Sequence, residues 1–244
     1  MIVTGGGRGI GAATARLAAE RGYAVCVNYV HNGDTAATVV NDIERGSGTA
    51  LAVQADICEE HDVLRLFETA ARELGPVVGL VNNAGAVFAQ KKLQDMEASR
   101  IRQIFAVNVF GSFLCAREAV RRMSTENGGN GGTIVNVSSV AARLGSPGTY
   151  IDYAASKGAI ETMTVGLAKE VAAEGIRVNC VRPGLIYTDM HADSGDPERP
   201  DRLKDTVPMK RIGNPSEVAE TILWLTSDSA SYVIGSIIDV SGGR

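Results

Sequence analysis

The sequence predicts an α/β protein built as one doubly wound domain, in which a seven-stranded parallel sheet carries helices on both faces. Short apolar runs alternate with longer amphipathic stretches along the chain, and this is the pattern of repeated β-α units. The predicted strands are nearly continuous apolar runs, as expected of strands buried on both faces. The 244 residues contain no internal repeat and no linker-like stretch, so residues 1–244 are expected to form a single domain.

Seven strands are predicted from short runs of β-branched and other apolar residues bounded by glycine or polar residues. The first is short, because a glycine cluster begins at Gly5, and the second starts just after Gly22. The predicted strands are residues 1–4, 23–29, 50–54, 77–81, 133–137, 176–181 and 235–240.

Six helices are predicted from apolar residues spaced three and four positions apart. The pattern is clearest where Val63, Leu66, Phe67 and Ala70 share one face of a stretch that ends at Gly75. The predicted helices are residues 10–21, 35–45, 59–74, 98–123, 153–174 and 215–226. Residues 188–214 show neither pattern and are rich in Asp, Gly and Pro, so we expect an irregular loop that covers a substrate site.

The composition argues against several classes of partner and location. The net charge is −4 and no long basic run occurs, which disfavours a nucleic acid or an anionic membrane as partner. The sequence contains neither a run of 18 apolar residues nor a signal peptide, so we expect no membrane span. The four cysteines are widely separated, which predicts no metal site, no disulfide framework and a cytoplasmic protein.

A glycine-rich turn lies between the first strand and the first helix. It runs from Thr4 to Gly11 and reads TGGGRGIG. Glycines allow positive φ angles and a close approach of the backbone to a diphosphate, and the free N–H groups of the following helix hold the anion. The position after a strand and before a helix indicates a dinucleotide site more strongly than a simple tight turn.

A second turn, Asn82-Asn83-Ala84-Gly85, follows the fourth strand. Open α/β sheets bind ligands outside the carboxyl ends of their strands, and the small Ala84 and Gly85 would let a nucleotide lie close to the backbone. The same residues could equally form a turn closed by an asparagine side chain.

Tyr153 and Lys157 are four residues apart and should share one face of a helix. A nearby ammonium favours the phenolate and lowers the pKa of a tyrosine from about 10, which brings the phenol into range for proton transfer. Ser139 follows the fifth strand and could hydrogen-bond a substrate carbonyl, although a lone serine often caps a turn. Ser138 is an alternative for this role, whereas Tyr150 is rejected as the base because no lysine lies four residues further on.

Taken together, these motifs resemble those of the classical short-chain dehydrogenase/reductase family, and the match runs from Thr4 to Gly243. Segments such as RLGSPGTYIDYAASKGAI and NCVRPGLIYT are similar to glucose-dehydrogenase-like bacterial members. The resemblance implies a Rossmann-type fold and an NAD(P)(H)-dependent oxidoreductase. Such an enzyme transfers a hydride between the nicotinamide and a carbonyl or secondary alcohol of a small substrate, and it is expected to be a homotetramer.

The resemblance also implies roles for the catalytic residues. Tyr153 is the acid/base, Lys157 lowers its pKa and holds the nicotinamide ribose, Ser139 polarises the carbonyl, and Asn108 holds a water for a proton relay. Ser139 lies 14 residues before Tyr153, whereas many relatives have 12 or 13, so the segment between them is expected to reshape the pocket.

The implied cofactor residues fall into three groups. The glycine turn would line the diphosphate and adenosine ribose, a second group the adenine side, and the segment after the sixth strand the nicotinamide. The first group is Gly5, Arg8, Gly9, Ile10 and Gly11, the second Asp56, Ile57, Asn83, Ala84 and Gly85, and the third Pro183, Gly184, Ile186 and Thr188.

The end of the second strand indicates a preference for NADP(H), with NAD(H) as a possible second cofactor. An acidic residue there would bind the ribose 2′-OH and repel a 2′-phosphate, but the position is Tyr29. Arg8 could bind the phosphate with its guanidinium, and Asn28 could add a hydrogen bond. Against this preference, Val30 stands where an arginine often follows the strand.

Two other functions compete with this prediction. A 3-oxoacyl-thioester reductase would need a basic docking patch for an acidic carrier protein, for which Arg121 and Arg122 offer thin support. A non-catalytic nucleotide-binding sensor could share the fold, but it would have no need of Ser139, Tyr153 and Lys157 together. The substrate pocket is expected to be formed by residues 87–92, 141–150 and 188–214, with no evident anchor for a particular substrate.

Overall fold

The computed structural model describes the backbone of residues 1–244 and every side chain apart from that of His191. Seven strands form one sheet in the order β3-β2-β1-β4-β5-β6-β7, and all neighbouring pairs are parallel. The predicted doubly wound parallel sheet is confirmed. The strands are β1 (Ile2–Val3), β2 (Val25–Tyr29), β3 (Ala50–Gln54), β4 (Gly79–Asn82), β5 (Gly132–Val137), β6 (Ile176–Pro183) and β7 (Ile237–Val240).

The helices connect successive strands. The chain passes from β3, at one edge of the sheet, back to β4 beside β1, and this reversal creates the crevice in which such sheets bind ligands. The helices are α1 (Gly9–Glu20), α2 (Gly33–Arg45), α3 (Glu60–Leu74), α4 (Ala98–Phe105), α5 (Ser112–Met123), α6 (Ala141–Leu144), α7 (Ile151–Val171), α8 (Met190–Asp193), α9 (Arg199–Leu203) and α10 (Pro215–Thr226).

Apolar cores cover both faces of the sheet. Successive residues of a strand point to opposite faces: Leu80 of β4 packs in one core and Val81 in the other. The first core includes residues of α3, α5 and α7, and the second includes residues of α1, α2 and α10. This two-sided burial explains why the strands are apolar throughout.

The helix predicted over residues 98–123 is not continuous. A π-helical segment, Ala106–Gly111, separates α4 from α5. A Cβ atom at Gly111 would lie 2.7 Å from Cγ1 of Ile57, so only glycine lets the helix pass this close to the turn before α3. Wide π turns of this kind often occur at functional sites, and this one contains Asn108.

Two segments in which no helix was predicted contain short helices. α6 lies before Tyr153, and α8 and α9 lie within residues 188–214. The helix predicted over residues 153–174 begins earlier, at Ile151, and ends at Val171, followed by a 3-10 turn, Ala172–Glu174. The helices α6, α8 and α9 have only four or five residues, which is too short for apolar periodicity to reveal them.

The cysteines are all free thiols, and Cys26, Cys115 and Cys180 are buried. In the described part of the chain, no helix has the length and apolar character needed to cross a membrane.

Candidate active site

The turn between β1 and α1 requires glycine at three positions, either for a positive φ angle or because neighbouring atoms leave no room for a Cβ atom. Gly5 and Gly9 have φ angles of +59° and +52°, which disfavour residues with a Cβ atom. A Cβ atom at Gly11 would lie 2.3 Å from the oxygen of Gly5 and 2.5 Å from Nδ2 of Asn83. The turn is therefore bare backbone at the amino end of α1, as a site for a diphosphate requires.

Hydrogen bonds join this turn to the turn after β4. The Thr4 hydroxyl accepts hydrogen bonds from the N–H groups of Asn83 and Ala84, each at 3.0 Å. Asn83 Nδ2 donates to the oxygens of Thr4 and Gly5 at 2.9 and 3.1 Å. The TG and NNAG motifs thus form one unit, in which the Asn83 amide supports the glycine turn.

Asn28 has a supporting position under the same turn. Its side chain is buried, donates to the oxygen of Ala55 at 2.9 Å and accepts from the N–H of Gly5 at 3.3 Å. The expectation that Asn28 adds a hydrogen bond to a 2′-phosphate does not fit this geometry. Its amide holds the ends of β2 and β3 instead of facing a ligand.

The residues expected beside the adenine also carry structural contacts. The Asp56 carboxylate accepts a hydrogen bond from the N–H of Cys58 at 2.9 Å, so it holds the turn before α3. Ile57 is buried and packs against Gly111 of the π segment. Gly85 lies deeper in the crevice, where a Cβ atom would come within 3.3 Å of the Lys157 ammonium.

The segment after β6 closes the crevice from the other side. A Cβ atom at Gly184 would lie 2.8 Å from Cα of Ser241, and the oxygen of Pro183 accepts a hydrogen bond from Val140 N–H at 3.0 Å. Ile186 is buried. Thr188 lies over the glycine turn, since a Cβ atom at Gly9 would approach its Cγ2 atom to 3.2 Å.

Ser139, Tyr153 and Lys157 line one cavity, at the carboxyl ends of β5 and β6. Lys157 is buried, and its ammonium donates to the oxygen of Val137 at 2.8 Å and lies 5.7 Å from the centroid of the Tyr153 ring. The alternative serine, Ser138, is buried and donates to Glu161 at 2.8 Å. The partly exposed Ser139 is therefore the serine available to a substrate.

Asn108 connects the π segment to the crevice. Its Oδ1 atom accepts from Ala86 N–H at 2.7 Å, and its Nδ2 atom donates to the oxygen of Ala86 at 3.0 Å and to the hydroxyl of Ser156 at 2.9 Å. These bonds hold the loop after Gly85 against α7. Both amide hydrogens are used, so a relay water would have to bind at the second lone pair of Oδ1 or at the main chain.

Burial controls the protonation of both groups on α7. Burial raises the pKa of Tyr153, and hydrogen bonding with Ser139 partly opposes the rise. Burial lowers the pKa of Lys157 to about 8. The expected lowering of the Tyr153 pKa by Lys157 is wrong for this geometry, because the ammonium is directed at Val137 and the low-polarity surroundings disfavour both charged forms.

The cavity has a volume of about 160 Å³. All three segments expected to form the substrate pocket contribute to it, through Val87, through Ala141, Leu144, Ser146 and Tyr150, and through Thr188, Met190, Ser194 and Arg199. Arg244 also lines it. The side chains suit a small substrate with apolar parts, held next to the Ser139 and Tyr153 hydroxyls.

Comparisons with known proteins agree with this geometry over the whole chain. A family model described as enoyl-(acyl carrier protein) reductase matches residues 5–244. A short-chain dehydrogenase/reductase from Serratia marcescens BCRC 10948 has a similar solved structure, with a TM-score of 0.91 and 32% identity, covering 99% of this chain and 96% of that chain. The chain belongs to the short-chain dehydrogenase/reductase family.

Two curated members of the family show how far the similarity extends. The chain is 57% identical over 243 residues to the uncharacterized oxidoreductase YgfF of Escherichia coli strain K12, covering 100% of this chain and 98% of that protein. It is 36% identical over 242 residues to glucose 1-dehydrogenase 2 of Bacillus subtilis strain 168, covering 99% and 93%. The predicted resemblance is confirmed, and the protein is an NAD(P)(H)-dependent oxidoreductase.

Two positions bear on which cofactor this short-chain dehydrogenase/reductase uses. Tyr29 ends β2, and its ring packs on the start of α2, since a Cβ atom at Gly33 would lie 3.4 Å from its hydroxyl. Arg8 forms an ion pair with Asp193 of α8 at 2.5 Å, with side-chain exposures of 55% and 44%. The Arg8 guanidinium, which was expected to bind a 2′-phosphate, thus already contacts the Asp193 carboxylate of α8.

The basic patch considered for a carrier protein is partly neutralised within the chain. Arg121 and Arg122 both form ion pairs with Glu118, whose side chain is 2% exposed. The single Glu118 carboxylate balances only one of the two guanidinium charges, and the Arg121 side chain is 58% exposed. The positive charge left at this surface is small, so Arg121 and Arg122 give only weak support to the thioester-reductase alternative.

Several contacts of the site were not foreseen. Thr4, Asn82 and Asn136 connect neighbouring strand ends: Asn82 Nδ2 donates to Asn136 Oδ1 at 3.0 Å, and Asn136 donates to Thr164 of α7 at 2.9 Å. Their position in the sequence could have indicated them, because each polar side chain lies at or next to the carboxyl end of a largely apolar strand. Arg199 and Arg244 lie in segments without any periodic pattern, and nothing local indicated that they share a cavity.

Proposed function

We propose that the protein reduces a carbonyl group of a small molecule to an alcohol, or catalyses the reverse oxidation, with Tyr153 as the acid/base. The observation that supports this most directly is that Ser139, Tyr153 and Lys157 line one cavity, with Lys157 buried. A buried ammonium is costly for the folded protein, so a purely structural role is a poor explanation for it.

The residues around the crevice fit a nicotinamide dinucleotide. The bare glycine backbone at the start of α1 suits a diphosphate, and a side chain at Gly11 would collide with Gly5 and distort the turn that holds it. Gly5, Arg8, Gly9, Ile10 and Gly11 would hold the diphosphate and ribose, with Asp56, Ile57, Asn83, Ala84 and Gly85 toward the adenosine and Pro183, Gly184, Ile186 and Thr188 toward the nicotinamide. The bound cofactor supplies or accepts the hydride.

The chain itself supplies the proton and the orientation. The raised pKa of Tyr153 keeps its phenol protonated at neutral pH, so it can donate to the oxygen of a carbonyl as the hydride arrives at carbon. Ser139 donates a hydrogen bond to the same oxygen and so stabilises the negative charge that develops there. Lys157 holds α7 to β5 through Val137 and would bind a ribose hydroxyl of the cofactor. Asn108 positions the loop after Gly85.

The preferred cofactor is NADP(H), with NAD(H) as a second substrate. Tyr29 supports this, because no carboxylate ends β2 to repel a 2′-phosphate. Arg8 is exposed near the turn and can exchange Asp193 for the phosphate, since guanidinium binds phosphate strongly through two parallel hydrogen bonds.

The protein forms a homotetramer in the cytoplasm. Phe105, Phe110 and Phe113 on α4, the π segment and α5 are 37%, 53% and 50% exposed, and large exposed apolar side chains often mark an interface. β7 is an edge strand, which a second subunit would cover. Free, mostly buried cysteines suit a reducing compartment.

Turnover with a substrate panel tests the proposed activity. The purified protein is incubated with NADPH or NADH and a series of aldehydes, ketones and an acetoacetyl thioester, and with NADP⁺ or NAD⁺ and alcohols including glucose, while nicotinamide absorbance is followed. We expect at least one carbonyl to be reduced, and Tyr153→Phe to lose that activity. Tight nucleotide binding with no turnover of any compound would instead favour a sensor.

A further inference from the structure

The cavity that contains Ser139 and Tyr153 is also lined by two arginines. Arg199 begins α9, and Arg244 follows β7. With Lys157 this gives three cationic side chains, and none of the described residues lining the cavity is an aspartate or a glutamate. The wall beyond the two hydroxyls thus carries three cationic side chains and no acidic side chain.

The two arginines differ from most others in the chain. Arg182 and Arg211, for example, pair with Glu161 and Glu217 at 2.7 and 2.6 Å. Within the part of the chain that the structure describes, neither Arg199 nor Arg244 forms an ion pair with an aspartate or glutamate side chain, in contrast to these two. The Arg199 guanidinium instead lies 5.0 Å from the centroid of the Tyr150 ring.

The surroundings make two unpaired guanidinium groups unfavourable. Partial burial and the positive charge of Arg199 lower the pKa of Arg244, so the two guanidinium groups are close enough to repel each other. Charges in such surroundings need a counter-charge. An anion between the two guanidinium groups would remove both the repulsion and the deficit of hydrogen bonds.

A third group in the same wall lacks a partner. The Tyr150 hydroxyl is buried and makes no hydrogen bond, and its side chain is 6% exposed. A buried hydroxyl without a partner costs stability, and this one belongs to a side chain that lines the cavity. It offers a donor to a ligand oxygen beside the two arginines.

We propose that the substrate carries a carboxylate in addition to its carbonyl or alcohol, and that Arg199 and Arg244 bind this carboxylate with the Tyr150 hydroxyl as a further donor. The inference rests on the proposed function, because the reacting carbon is placed at Ser139 and Tyr153 of the same cavity. Apolar side chains such as Val87, Leu144 and Met190 line the space between. The substrate class is therefore an oxo acid, or the matching hydroxy acid, with a hydrocarbon spacer.

Matched pairs of acids and esters test this substrate class. The probes are 4-oxopentanoate, 5-oxohexanoate and 6-oxoheptanoate, each with its methyl ester, reduced with the preferred cofactor. The wild-type protein should show a higher kcat/KM for at least one acid than for its ester. Arg199→Gln and Arg244→Gln should lower that acid-to-ester ratio by roughly 10- to 100-fold, the range expected for a charge-assisted hydrogen bond.

The controls separate a lost carboxylate site from a general effect. Arg102→Gln makes the same change of charge at an exposed arginine outside the cavity, and the ratio should stay at the wild-type value. Arg199→Lys keeps the charge and should restore part of the preference. A ratio that is equal for acid and ester, or unmoved by the two cavity variants, would overturn the inference while leaving the proposed reduction intact.

Binding provides a readout that does not depend on turnover. Calorimetry with the same acids and esters in the presence of NADP⁺ should show tighter binding of the acid, lost in Arg199→Gln and kept in Tyr153→Phe. Equal affinities would refute the carboxylate site. Binding of 3-oxobutylphosphonate that is much tighter than that of 4-oxopentanoate would also refute it, in favour of a phosphorylated substrate. If the acid binds but is not reduced with either cofactor, the proposed reduction is refuted and the carboxylate site is not.

Discussion

The Lys157 ammonium donates a 2.8 Å hydrogen bond to the main-chain oxygen of Val137, the last residue of β5. The bond holds α7 against the strand that leads to Ser139, and it brings a cation within 5.7 Å of the Tyr153 ring centroid. Helix, strand end and both hydroxyl-bearing residues are therefore fixed relative to one another through one buried side chain.

Replacing Tyr153 by phenylalanine should remove the proton donor while keeping the ring. We expect turnover to fall by roughly 10²- to 10⁴-fold, the contribution of a general acid or base, while cofactor binding measured by fluorescence stays nearly unchanged. Tyr232→Phe is the matched control, because Tyr232 is fully exposed. Near-normal activity of Tyr153→Phe would remove Tyr153 from the reaction.

Lys157→Met should trade activity for stability. The folded-state pKa of Lys157 is lowered from 10.5 to about 8, so below pH 8 the folded protein carries a buried charge that destabilises it. This destabilisation shrinks as pH rises from about 8 toward 10.5, where the unfolded chain still binds the proton and the folded chain does not. We expect Lys157→Met to unfold at a higher temperature than wild type at pH 7 and to lose this advantage by about pH 10.5.

The same variant should have lower turnover and lower cofactor affinity, because it lacks the ammonium near the ribose and phenol. Lys169→Met, an exposed position on α7, serves as the control for both measurements. The unfolding temperatures of Lys157→Met and wild type could instead differ by the same amount at all pH values. That result would show that a change in packing, and not the buried charge, is responsible.

Arg8→Ala should distinguish the two cofactors. We expect kcat/KM to fall roughly 10- to 100-fold with NADPH, as for loss of a charge-assisted contact, and to fall less with NADH. Asp193→Asn leaves Arg8 in place without its carboxylate partner and should tighten NADPH binding. Equal losses with both cofactors would take Arg8 out of the phosphate site, and a higher kcat/KM with NADH in the wild type would reverse the preference.

Gly11→Ala should disrupt nucleotide binding through sterics alone. Its Cβ atom would meet the Gly5 oxygen at 2.3 Å, so the turn must move, at a cost of about 1–3 kcal/mol. Gly166→Ala on α7 meets nothing within 4 Å and should stabilise the protein by about 0.5–1 kcal/mol. Urea unfolding and nucleotide titration would measure both effects, and wild-type nucleotide affinity in Gly11→Ala would contradict this account of the turn.

Phe113→Glu should break the proposed tetramer. Phe113 is 50% exposed on α5, and a carboxylate there would be buried without a partner in a helix-to-helix interface. Light scattering at micromolar concentration should report a tetramer for the wild type and a smaller species for the variant. Leu93→Glu changes a residue that is 57% exposed outside these helices and should remain a tetramer. A monomeric wild type would end the proposal.

The fold was predictable because its determinants are local. The strands are apolar on both faces, and the glycine turn, Tyr153 and Lys157 occur as short motifs with fixed spacing. The direction of the Lys157 ammonium was not predictable, since it depends on Val137, which is 20 residues away in sequence. The buried role of Asn28 likewise depends on Ala55, which follows the neighbouring strand β3. Long-range geometry decides such pairings, and no local pattern records it.

The ion pair between Arg8 and Asp193 joins the glycine turn to α8, which stands over the cavity. A 2′-phosphate that takes Arg8 must displace Asp193, so arrival of the phosphorylated dinucleotide releases a tether on the segment that leads to Arg199. By thermodynamic reciprocity, any ligand that stabilises the tethered position of that segment weakens binding of the phosphorylated cofactor by the same factor. Choice of dinucleotide and access to the cavity are then a single coupled equilibrium, in which each ligand changes the affinity for the other by the same factor.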